Sequence, residues 1–421
     1  VAVQETAKSQ GKKSVKSSIV SAVTDLKTSL AALALASTGA LLFLPPSAAH
    51  AVQIGSGFIN NTGTAASAAN PGDVAIGGGA TTGGTGNVSG DVAIGGASYA
   101  DSNTNSSGAI QRGVAVGFQA STFGGVSIGD GASSGGLQVV STAVGAGSTA
   151  SGGASIAIGS SKANATNATQ TNTIAIGNGA QATAYGAMAL GSGGSIDTVG
   201  AQATGERATA LGSVSLASGI RSTAVGMRST ASSTQATALG SFSDASGISS
   251  IALSYLAKAS GENAIAMGSS SSSSANGSIA IGTSSLANQN NAIAIGVSSK
   301  ATQVNATAVG LSALASANRA TALGAQSEAT AYSATAVGNK AIASNTNAIA
   351  IGTGAQATAK DAISIGTKNV VSGQGSGAIG DPTTITGSGT YSVGNNNGTI
   401  AANNSGVFGN NNTITGALDG V

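Results

Sequence analysis

The 421-residue chain contains 65 Gly, no Cys, no Trp and only 4 Pro, with 41% apolar and 7% charged residues. Disorder requires high charge and little apolar surface, so this composition excludes it, and the chain can bury surface only through small side chains. The formal charge of +2 is too small to supply the basic face that nucleic acid requires.

The first segment, 1–51, reads as a targeting leader. Lys8, Lys12, Lys13, Lys16 and Lys27 face only Glu5 and Asp25, so the net positive charge lies here and the remaining chain holds 11 basic against 12 acidic groups. Lys12, Lys13 and Lys16 make a basic n-region, Leu30–Leu44 an apolar h-region, and Ala49-His50-Ala51 a small-x-small site, with cleavage expected after Ala51. The apolar run, broken at Pro45-Pro46, is short of the ~20 residues of a membrane span.

Cleavage would remove His50, the only histidine. The mature chain would then hold no His, Cys or Trp, which excludes histidine triads, cysteine nucleophiles and His/Cys zinc sites. Its acids show no paired spacing. The expectation is a protein that is not an enzyme and carries no cofactor or metal, stabilised outside the cytoplasm without disulfides.

A lead-in at 52–70 is followed by repeats over 71–205 and 206–421. In the second stretch, Ala-(Ile/Val/Leu)-Gly places a glycine every 14 residues from Gly212 to Gly394, with Ser254 standing in once. Upstream, Gly77, Gly95, Gly117, Gly129, Gly145, Gly159, Gly177 and Gly191 continue the series with steps of 12 to 22 residues, which predicts turn insertions such as Ser102–Gln111 and Gly193–Gly205. A 14-residue period is too short for helix-pair repeats or propeller blades and suits one solenoid coil of two short strands and two tight turns.

The strand before each glycine carries Ala between Ile or Thr and a bulky apolar residue, as in Thr209-Ala210-Leu211 and Ile349-Ala350-Ile351. Both of its faces are small or apolar, the pattern of a strand covered on both sides. A two-stranded roll covers one, so a second copy of the chain is expected on the other. The second strand alternates, as in Ala355-Gln356-Ala357-Thr358-Ala359-Lys360 and Ser327–Tyr332, placing Ala inward and polar groups in water.

Asn291-Ala292-Ile293-Ala294-Ile295-Gly296 and Asn347-Ala348-Ile349-Ala350-Ile351-Gly352 resemble the head repeat (Hep/Hag type) of YadA-like trimeric autotransporter adhesins, over about 70–420. Separately, Val1–Lys13 is similar to the end of an autotransporter extended signal region. The resemblance implies an all-β, left-handed parallel β-roll solenoid assembled as a homotrimer. It further implies an outer-membrane-associated cell-surface location, cell adhesion to extracellular matrix proteins such as collagen or to abiotic surfaces, self-aggregation, and roles in biofilm and virulence. The sequence is expected to be a piece that lacks the family's usual start, its coiled-coil stalk and its membrane anchor.

The candidate binding wall comprises Leu216, Lys258, Leu286, Lys300, Leu314, Glu328, Tyr332 and Ile342. The Asn runs 395–397 and 410–412 read as turn residues. An alternative function is ice or crystal binding through a Thr column at 209, 223, 237, 307, 321 and 335. That column is interchanged with Ile on the strand expected to be covered.

Overall fold

The structure is a computed structural model that describes residues 52–54, 66–70, 72–83, 90–101, 103–104, 110–135, 140–159, 165–193 and 199–414. The leader and its cleavage site lie outside the described residues, as do parts of the Ser102–Gln111 and Gly193–Gly205 insertions.

Among the described residues the chain is all-β: a parallel solenoid in which every coil contributes one strand to each of two sheets. The wide sheet is built mainly from three-residue strands such as Thr209–Leu211, Thr223–Val225 and Thr237–Leu239. The narrow sheet is built mainly from two-residue strands such as Leu216–Ala217 and Thr230–Ala231. Each strand pairs with its equivalent one coil away at constant register, Thr209↔Thr223↔Thr237 in one sheet and Leu216↔Thr230↔Asp244 in the other. The insertion near 102–111 forms a small antiparallel pair, Asn103–Thr104 with Ile110–Gln111.

The second strand is shorter than the alternation suggested. Only Gln356–Ala357 and Glu328–Ala329 are extended, and Ala359 and Ala331 lie half-buried where the chain is already turning. The cause is a left-handed residue every seven positions through most of the regular region, including Arg207, Val214, Arg221, Arg228, Gln235 and Phe242. A coil is therefore two half-coils with the same bend. Most of these left-handed N–H groups donate to a carbonyl of the preceding coil, as from Arg221 to Glu206 and from Phe242 to Met227. This ladder offsets the roughly 1–2 kcal/mol that such a backbone costs a non-glycine residue.

The repeat glycines answer two constraints at once. Gly310 has φ +135°, and a Cβ there would lie 2.5 Å from the Gly324 backbone of the next coil. Ser254, the one substitute among the regular repeats, holds φ 112°.

Four side chains per regular coil point inward, and nearly all are Ala or Ser. In the Gly212 coil they are Ser215, Ala217, Ser222 and Ala224, all buried. Ala and Ser interchange before the narrow strand because the serine hydroxyl donates to the glycine carbonyl three residues back, as from Ser215 to Gly212 at 3.0 Å and Ser299 to Gly296 at 2.9 Å. The burial cost of the hydroxyl is thereby met locally at these serines, though not at Ser271, whose buried hydroxyl has no partner among the described residues.

The apolar interior is interrupted twice by polar coils. Thr122, Ser127 and Ser134 bond to one another across one gap, and Ser271, Ser273 and Ser278 fill the other. Toward the end the interior thickens: Val371, Ile385 and Ile400 replace Ala on the narrow strand, and Asn369 and Asn397 take the place of Ala or Ser before it.

Candidate adhesive surface

Seven of the eight candidate wall residues form part of one ladder. Leu216, Lys258, Leu286, Lys300, Leu314, Glu328 and Ile342 each begin a narrow-sheet strand and point outward while the following Ala is buried. Constant register joins Lys258 through Ser272, Leu286, Lys300, Leu314 and Glu328 to Ile342. Steps between neighbouring coils are about 4.8 Å. Lys258 meets Asp244 of the previous coil at 4.0 Å, but both side chains are exposed, so the pair adds little stability.

Tyr332 is not on this wall. It lies in the turn that leads back to the wide sheet, where its hydroxyl accepts a hydrogen bond from Arg319 Nη1 at 2.9 Å and the guanidinium sits 5.8 Å from its ring centroid. The continuation of the polar alternation past Ala331 made it look like a strand residue. Its separation follows from the left-handed bend at Ser333.

The sequence did not single out the opposite turn, after each repeat glycine, as a surface of its own. There Arg228 lies over Phe242 and Phe242 meets Tyr255 edge-on at 6.0 Å. The spacing from Arg228 to Phe242 is one repeat, which was the available signal.

The outer face of the wide sheet is apolar and uncovered in the single chain. The last strand residue, as at Ile128, Met267, Ile295 and Ile379, is 36 to 48% exposed, although the central Ala beside Met267, Ile295 and Ile379 is fully buried. The Thr column lies on this same face and is broken by Ile251, Ile265, Ile279 and Ile293, so it presents no continuous hydroxyl array.

Toward the N-terminal end, Asp73 is buried and satisfied: it accepts hydrogen bonds from Thr82 and from the Gly90 and Asp91 amides. Tyr99 is pushed above its ordinary value by desolvation first and then by its hydrogen bond to Asp101. No three acids converge on a metal-binding arrangement among the described residues, nor is any helix long and apolar enough to cross a membrane.

Stacked coils with constant register, a glycine column and an alanine interior define a parallel β-roll. The model of the YadA head domain repeat (2 copies) matches residues 141–161, 168–193, 203–229, 231–253, 259–285 and, in overlapping windows, 287–369. The segment 141–369 is thus a YadA-like head, a structural module of adhesin type. Comparison with curated proteins gives no match.

Proposed function

We propose that the chain is the head of a trimeric surface adhesin that attaches bacteria to host matrix, cells or abiotic surfaces and promotes self-aggregation. One observation carries the assembly: the wide sheet's uncovered apolar face. A row of half-exposed Ile, Leu, Val and Met extending over many coils exceeds the scattered apolar exposure normal for a monomer. A symmetric oligomer buries the same face of every copy, and with an interior this thin, association adds burial that one chain lacks. Native mass measurement of the purified chain should give three copies, and a stable monomer would contradict the proposal.

The narrow-sheet ladder is then the outward wall, and its mixture of leucines, Lys258 and Lys300 suits an extended matrix protein such as collagen. Reversing both charges, Lys258→Glu with Lys300→Glu, should weaken retention on collagen, fibronectin or laminin. Unchanged retention on all three would remove the wall from the binding site. Domain limits follow as proposals: a leader to 51, a lead-in to 70, irregular coils to 205 and regular coils beyond, with export to the cell surface.

A further inference from the structure

Between residues 274 and 348, the turns leading from the narrow to the wide sheet change character. Six successive turns carry ten Asn or Gln side chains and a single charge, Arg319. The neighbouring turns on either side are charged, with Glu262 before and Lys360-Asp361 after. The opposite turns of the same coils carry far fewer amides.

These residues stack into columns. Asn276 and Asn290 occupy the same turn position in successive coils, Val304 takes it in the next, and Asn318 and Tyr332 follow; Gln289 and Gln303 form a second column beside them. The stack is held by its backbone: Asn291 N–H donates to Asn276 O, Asn305 to Asn290 O, and Ser333 to Asn318 O. Some amides support the fold, as where Asn291 Nδ2 donates to Asn305 Oδ1 at 3.3 Å and Asn347 Nδ2 to Asp361 Oδ1 at 2.8 Å. Among the described residues, the side chains of Gln289, Asn290, Gln303 and Asn318 have no hydrogen-bond partner, and all four residues are exposed. Tyr332 is 46% exposed, with Arg319 bonded to its hydroxyl and lying over one face of its ring.

We propose that this edge is a binding site for neutral carbohydrate lying along the stacked coils. Each amide offers both a donor and an acceptor, which matches sugar hydroxyls that do both, and the tyrosine ring supplies an apolar face for a sugar ring. One arginine is too little charge for a polyanion, and the edge lacks the cluster of apolar anchors on which protein interfaces depend. The site is distinct from the narrow-sheet wall and does not depend on it.

The test is retention of the purified full chain on immobilised neutral glucose and N-acetylglucosamine oligosaccharides, with heparin as the anionic comparison. Retention on a neutral series should fall about a hundredfold in the triple variant Asn290→Ala, Gln303→Ala, Asn318→Ala, about fivefold for each lost hydrogen bond. Its circular dichroism and melting should stay unchanged. If that variant misfolds, the near-isosteric Asn290→Leu, Gln303→Met, Asn318→Leu keeps the size while deleting both the amide donors and the acceptors and should show the same loss. No retention on either neutral series, retention on heparin alone, or neutral retention that survives both variants would overturn the proposal. Because the readout is sugar retention and not attachment to matrix protein, failure here leaves the adhesive wall untouched.

Discussion

The regular coils from 206 to 366 and the coils after them share a backbone but are stabilised differently. In the regular coils almost every inward side chain is Ala or Ser, so hydrophobic burial per coil is small and cohesion comes mainly from the hydrogen-bond ladders repeated at every step. After Gly366 the narrow strand carries Val371, Ile385 and Ile400, in register with one another, and Ile400 bridges to Ile414. Each added methylene contributes about 0.8 kcal/mol. Buried amides accompany the larger side chains: Asn369 Nδ2 donates to Ile365 O at 2.8 Å, and its Oδ1 accepts the Thr383 N–H of the next coil at 2.7 Å. The contrast teaches that one coil geometry tolerates a thin repetitive interior or a thicker individual one.

The comparison breaks most sharply at the apolar ladder. Ile400→Ala should cost roughly 3 kcal/mol, read as a lower urea midpoint together with faster amide exchange in the coils around 385 and 414. The reverse change in the thin interior, Ala308→Val, should cost about 2 kcal/mol by overpacking, with exchange rising in the two flanking coils. Removing the buried amide with Asn369→Ala leaves the Thr383 N–H unsatisfied and should cost about 1.5 kcal/mol. Equal stability of that variant and the parent would show that the amide ladder is not needed beside Val371. The smallest expected change is a gain: Ser254→Gly relieves a residue held at φ 112° and should raise stability by about 1 kcal/mol, seen as a higher melting temperature.

The period, the strand before each glycine, the inward alanines and the wall ladder were legible because each puts one chemical type at a fixed spacing. The left-handed seven-residue bend was harder to read. Its positions accept Arg207, Phe242 and Leu256 as well as Asn and Ser, because the hydrogen bond that fixes the bend belongs to the backbone. The true end of the narrow strand was hidden for the same reason, which is how Tyr332 was placed on the wall. Nor could spacing distinguish the buried Asn397 from the exposed Asn395 and Asn396, since the whole run read as turn residues.

Constant register has a consequence for how such a chain can change over generations. Because every coil of the regular region touches chiefly its immediate neighbours and meets them through the same glycine, alanine and carbonyl contacts, duplicating or deleting one whole coil leaves the backbone and interior contacts of the others the same in kind and changes only outward side-chain pairs. Reach can thus be lengthened or shortened in single in-frame genetic events, whereas inserting or deleting one residue within a strand would reverse the inward and outward faces of the rest of that strand.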